Sequence, residues 1–78
     1  MLAAALEHLV KGIVDHPEDA NVTERNTSRG DLLEVYVHPE DLGRVIGRNG
    51  RTANALRTVI KALADGKKVR VDVVKTDF

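Results

Sequence analysis

The run Gly47-Arg48-Asn49-Gly50 is the stretch of this 78-residue chain whose residue types and spacing best suit a chemical task. Two glycines bracket a cation and an amide, and Arg44 and Arg51 lie within four residues on either side. Without Cβ atoms in the way, a polyanionic strand can approach the backbone closely at such a place. Amides at the start of a following helix would point at the anion, and Arg48 and Arg51 would add charge-assisted contacts to phosphate oxygens. Spacing alone decides little: with glycine near 7% of residues, a pair of glycines three apart arises by chance about 0.4 times in a chain of this size. The neighbouring cations and the helices on both sides give the pattern its weight. Gly47 can at the same time end one helix and Asn49 cap the next.

Other reactive side chains form no comparable constellation. The chain has no cysteine, so disulfides and thiolate metal sites are excluded, in keeping with a reducing compartment. His8, His16 and His38 fall on three different elements with no ligand-like spacing, so surface or edge positions are expected and no metal site. The acidic pairs Glu18-Asp19 and Glu40-Asp41 both adjoin prolines, where carboxylates serve turns and helix starts rather than acid–base chemistry. Neither catalysis, a cofactor nor a small-molecule substrate is indicated.

Net charge is zero, which by itself argues against a polyanionic partner. The average conceals a division. Met1 to Asp41 carries three basic residues (Lys11, Arg25, Arg29) against nine acidic ones, a balance of −6, and Leu42 to Phe78 carries nine against three, a balance of +6. No carboxylate occurs between Leu42 and Ala64, where Arg44, Arg48, Arg51, Arg57 and Lys61 all lie. A local positive field is therefore available on a neutral molecule. Arg57 and Lys61, one helical turn apart, are read as solvated surface rather than ligands.

These residues need elements to hold them. Leu2, Leu6, Leu9, Val10, Ile13 and Val14 recur at helical spacing ahead of Pro17, predicting a helix over roughly 2–15. The polar, β-branched stretch Ala20 to Ser28 predicts an edge strand, with turn chemistry at Arg29, Gly30 and Asp31. Leu33, Val35 and Val37 alternate with Glu34, Tyr36 and His38, the period of a strand buried on one face. Pro39 suits the first turn of a short helix running to about Ile46, with Glu40 and Asp41 at its positive end. After the glycine frame, Ala53, Leu56, Val59, Ile60 and Leu63 predict a third helix sharing one apolar face until Gly66. Val69, Val71 and Val73 alternate with Arg70 and Asp72 as a last strand, followed by a flexible tail from about residue 75.

The order is αββααβ. A strand, two helices and a strand make a crossover between parallel neighbours, whereas the hairpin is antiparallel. The expected architecture is α+β, with a three-stranded mixed sheet and three helices on one face. The whole chain, 1–78, forms one domain with no linker or repeat. Leu2 to Leu6 is too short and too soon interrupted by Glu7 and His8 to span a membrane, so a cytoplasmic protein is expected.

The segment Val45-Ile46-Gly47-Arg48-Asn49-Gly50-Arg51 resembles the KH signature, an apolar pair followed by GxxG between two helices. The longer block from Pro39 to Ala53, followed by Ala55-Leu56-Arg57, is similar to the small bacterial single-domain KH proteins called KhpA, over essentially the full chain. The first strand, Asn21 to Arg29, is more polar than that pattern leads one to expect. The resemblance implies a type II KH-like fold whose groove holds about four unpaired nucleotides of single-stranded RNA, with the backbone clamped by Gly47 to Gly50 and the bases on an apolar floor that includes Ile46. Arg44 and Arg51 complete the implied RNA-binding set. It also implies an RNA chaperone or post-transcriptional regulator acting as a homodimer or with a larger KH partner of the KhpB or Jag type, linked to cell elongation and envelope homeostasis. With only Tyr36 and Phe78 aromatic, base stacking on a broad aromatic platform is not available, and sequence selectivity should be low.

Two other functions fit parts of the pattern. Two helices meeting at a short glycine-containing turn also outline a helix-turn-helix DNA binder, although Arg51, Thr52, Ala53, Asn54 and Ala55 are a poor set for reading base edges. Alternatively, the apolar corner around Val45 and Ile46 mediates dimerisation and RNA affinity is incidental.

Overall fold

The computed structural model describes residues 2–75. Helix α1 (Leu2–Lys11) leads through a short 3-10 turn at Pro17–Asp19 into strand β1 (Asn21–Thr27), which a two-residue turn joins to β2 (Gly30–Tyr36). A second 3-10 turn at Pro39–Asp41 precedes α2 (Leu42–Ile46), and a third at Arg48–Gly50 separates α2 from α3 (Arg51–Ala64). Strand β3 (Val69–Val73) follows. The sheet order is β1-β2-β3, antiparallel between the first two and parallel between the last two. This is the mixed α+β arrangement that the periodicities imply. The tail expected from about residue 75 lies, beyond Lys75, outside the described residues.

One hydrophobic core joins all three helices to one face of the sheet. Leu6 and Val10 of α1, Val45 of α2, Ile60 of α3, and Leu33 and Val35 of β2 are fully shielded from solvent. Ala53, Leu56 and Ala64 of α3 and Val69 and Val71 of β3 are also buried. Leu33 opposes Val71 and Val35 opposes Val73 in the parallel ladder, so these strands turn the same alternate residues inward. Leu32, Glu34, Tyr36, Arg70 and Asp72 fall on the opposite face of the pleat, where Arg25 meets Glu34 at 3.6 Å. The polarity of β1 has a physical cause. Only Val22 and Thr23 are half-buried, and from Glu24 onward the strand is exposed, an edge reaching past the helical cover.

Several boundaries differ from the sequence expectation. Helix α1 ends at Lys11, not near residue 15, because Gly12 is poor at holding helical backbone. Its amide still reaches the carbonyls of His8 (3.3 Å) and Leu9 (3.2 Å), and Val14 remains buried beyond the helix. On α3 the buried stripe is Ala53, Leu56, Ile60 and Ala64, whereas Val59 (43% exposed) and Leu63 (55% exposed) lie beside it, in solvent. The first turn after β2 is 3-10 rather than α, since the Asp41 amide bonds the His38 carbonyl three residues back at 2.8 Å.

Candidate nucleic-acid interface

The corner between α2 and α3 is shaped by three positions of unusual backbone within four residues. Gly47 closes α2 with its amide on the Gly43 carbonyl (2.8 Å) and adopts φ 77°, ψ 172°, a region essentially reserved for glycine. Asn49 (φ 57°, ψ 27°) and Gly50 (φ 76°, ψ 13°) then take successive left-handed conformations, tolerable for asparagine and free for glycine. The two glycines are needed for different reasons. A Cβ on Gly47 would strike the Thr52 side chain and lie 2.8 Å from the Thr52 amide nitrogen, whereas a Cβ on Gly50 would meet nothing nearer than the Asn54 side-chain nitrogen at 3.8 Å. Gly47 thus fits the corner against α3, while Gly50 leaves open ground outside it.

The amides there are partly committed. Gly50 donates to the Gly47 carbonyl at 3.2 Å, and Arg51 donates to the Arg48 carbonyl. The Gly50 and Arg51 amides, at the helix start from which the sequence suggested donors would project, are therefore engaged within the corner itself.

Arg48, Asn49 and Arg51 are exposed, and neither arginine meets a carboxylate among the described residues. Ile46 is half-buried and stands apart from the core cluster, in contrast to its fully shielded neighbour Val45. Arg44 is differently placed: its guanidinium meets the Asp15 carboxylate at 3.0 Å, with both side chains more than half exposed. The fold therefore gathers Ile46 to Arg51 at one corner and turns the charge of Arg44 partly toward the segment after α1. Arg57, read as solvated surface, is half-buried. Its Nε donates to the Val71 carbonyl (3.1 Å) and its Nη1 to Asn54 Oδ1 (3.0 Å). In β3 the even-numbered residues face β2, since the Val74 amide bonds the Val35 carbonyl at 2.9 Å. The Val71 carbonyl consequently lies on the open edge of the sheet, which Arg57 braces. Lys61 is exposed.

A polar cluster that spacing did not reveal lies behind α2. Asp41, only 2% exposed, accepts the amides of Asp15 (3.2 Å) and His16 (2.9 Å), and His16 Nδ1 lies 3.0 Å from the same carboxylate. Rather than serving the start of α2, Asp41 anchors the segment after α1. The His16 ring stacks on His38 with centroids 4.1 Å apart and planes 17° apart, so two histidines taken as unrelated are neighbours. With Glu40 they bring one potential ligand atom each within 4.8 Å of one another. Near-parallel rings send their in-plane lone pairs side by side instead of toward one point, and the Glu40 amide already occupies His38 Nδ1 at 3.0 Å. The arrangement is that of a stack rather than a tetrahedral metal centre.

Comparison with known proteins finds relatives along nearly the whole chain. Residues 3–74 match the family model described as KhpA/KhpB, KH domain. The chain is 69% identical over 74 residues to a protein of Leifsonia xyli named RNA-binding protein KhpA, covering 95% of this chain and 97% of that one. A Streptomyces coelicolor protein of the same name is 66% identical over 77 residues, covering 99% and 96%. One from Halalkalibacterium halodurans is 45% identical over 71 residues, covering 88% and 93%. No solved structure matches.

Proposed function

Because the chain belongs to the KhpA/KhpB family of KH domains, we propose that it binds single-stranded RNA at the corner between α2 and α3 and carries no catalytic chemistry of its own. The observation that carries this is the exposed Arg48-Asn49 pair, set between two glycines of positive φ, with neither Arg48 nor Arg51 bound to a carboxylate among the described residues. A sugar-phosphate strand approaching there meets the Arg48 and Arg51 guanidiniums and no Cβ at Gly50. Ile46, half-exposed beside the loop, gives an unstacked base an apolar surface. Recognition then rests on backbone clamping and van der Waals contact, so affinity is modest and sequence preference weak. The relatives named RNA-binding protein KhpA support the same ligand.

A module with so few phosphate contacts gains most from working in pairs. We infer that it acts as a homodimer or beside a larger KH partner of the KhpB or Jag type, as a cytoplasmic RNA chaperone and post-transcriptional regulator that bears on cell elongation and envelope homeostasis. The exposed Val59 and Leu63 on α3 offer apolar surface for such pairing. No helix among the described residues is long and apolar enough to cross a membrane. The test is competition: unlabelled single-stranded RNA should displace a bound single-stranded RNA probe far better than duplex DNA does. Effective competition by the duplex would favour a helix-turn-helix reader instead, and no binding to either would favour a protein-interaction module.

A further inference from the structure

Of the twelve lysines and arginines, Lys11, Arg25 and Arg44 meet carboxylates at 3.6, 3.6 and 3.0 Å, and Arg57 is spent on the Val71 carbonyl. Apart from Lys75, the remaining cations fall into two groups with no carboxylate partner among the described residues. Arg48 and Arg51 form the first, at the corner. Arg29, Lys61, Lys67, Lys68 and Arg70 form the second, around a shallow depression beside Gly66. The second group lies at the far end of α3, whose fourteen residues separate the two by about 20 Å.

The fold builds this second group from three elements. After α3 the chain turns through left-handed Asp65 (φ 52°) and Gly66 (φ 86°), presenting Lys67 and Lys68. The β1–β2 turn carrying Arg29 is pressed against that loop: the Asp31 amide bonds the Lys68 carbonyl at 3.0 Å, and a Cβ on Gly30 would run into Lys68. Arg70 follows on β3 and Lys61 projects from the last turns of α3. Cations near a helix C-terminus complement its dipole, which accounts for Lys61 and Lys67 but not for Arg29 and Arg70, which come from the β1–β2 turn and from β3. Asp31, Asp65 and Asp72 are carboxylates close by in the chain, and none of them is bonded to any of the five. Five cations are thus held close together without neutralisation, at a cost in mutual repulsion that a bound polyanion would relieve.

We propose that this depression is a second contact for the sugar-phosphate backbone of the same single-stranded RNA, engaging the strand beyond the segment held at the corner. The inference rests on the RNA-binding function proposed above. Its consequence is a dependence on strand length: an oligonucleotide filling only the corner, about four nucleotides, cannot touch the second group, whereas one of about sixteen can reach both.

The test measures fluorescence anisotropy of the short and the long RNA with the unaltered protein, K67E/K68E, R29E and R48D/N49D, each checked for folding by circular dichroism. K67E/K68E and R29E should weaken the long RNA about tenfold, lower its salt slope by about 1.4 for the lysine pair, and leave the short RNA within about twofold. R48D/N49D should weaken both. Unchanged binding of the long RNA to folded K67E/K68E and R29E would overturn the second contact while leaving the corner intact, and so would equal losses on both lengths. Full binding by R48D/N49D would overturn the corner itself, and the second contact with it.

Discussion

The imidazole of His16 and the carboxylate of Asp41 form a 3.0 Å pair that ties the segment after α1 to the turn before α2. Twenty-five residues of chain separate them. Asp41 also takes the two backbone amides of Asp15 and His16, so one acidic side chain stands in for the hydrogen bonds that α1 loses when it ends at Lys11. Through this junction the base of α2, and hence the corner that follows it, is held against the first helix.

Stability should accordingly peak in mildly acidic solution. The hydrogen bond to Asp41 raises the His16 pKa above 6.5, against a smaller opposing effect of burial, with the Asp41, Glu40 and Glu18 charges adding to the rise. Burial pushes the Asp41 carboxyl upward, but the amides of Asp15 and His16 and the His16 ring together hold it below 3.8. The histidine contribution is complete below 6.5 and is lost as pH climbs through the elevated value; the aspartate contribution is complete above 3.8 and is lost as pH falls through the depressed one. Melting temperatures across pH should show this, and His16→Gln should flatten the decline on the alkaline side. An identical alkaline limb in wild type and variant would refute the linkage.

The two glycines of the corner should respond differently to alanine. At Gly47 the backbone conformation alone costs about 1–3 kcal/mol for a residue with a Cβ, and the collision with Thr52 adds to it. At Gly50 the cost is about 1–2 kcal/mol with no collision. Denaturant unfolding should rank Gly47→Ala as the more damaging change. Gly50→Ala should remain folded yet bind RNA more weakly, because its methyl group occupies the approach to the loop.

Changing Arg48 and Asn49 together to aspartate should abolish RNA binding while the circular dichroism spectrum and melting temperature stay nearly unchanged. Both side chains are exposed, and aspartate tolerates the left-handed backbone of position 49 about as well as asparagine does. Retained affinity in the folded double variant would count against the clamp.

Arg44 offers a graded case. Its ion pair with Asp15 is largely exposed, so Arg44→Ala should change stability by no more than about 1 kcal/mol. Part of its charge already answers Asp15, so RNA affinity should fall less than in Arg48→Ala. Asp15→Ala, which releases the guanidinium, should tighten binding slightly in low salt. Binding titrations of the three variants at matched ionic strength would decide.

Most of the fold was legible because it is written in local periods. Alternation at Leu33, Val35 and Val37 and the helical recurrence of Leu56 and Ile60 depend on neighbours in sequence, and the crossover rule supplied the parallel pairing of β2 with β3. The glycine frame was legible too, since Gly47 and Gly50 take backbone that few other residues adopt. What stayed hidden was non-local or a matter of small rotation. Val59 and Leu63 lie one helical step off the buried stripe, which periodicity cannot separate from it. The His16–His38 stack and the burial of Asp41 arise from contacts between distant segments that no short pattern encodes, and the brace from Arg57 to Val71 is of the same kind.

The polar, exposed course of β1 beyond Thr23 also bears on how the protein behaves in a crowded cell. A flat apolar border would invite strands of other copies to add to the sheet and grow into insoluble assemblies. Glu24, Arg25 and Asn26 make such addition unfavourable, so a small chain with no overall charge can stay dispersed despite lacking the colloidal repulsion that a strongly charged molecule enjoys.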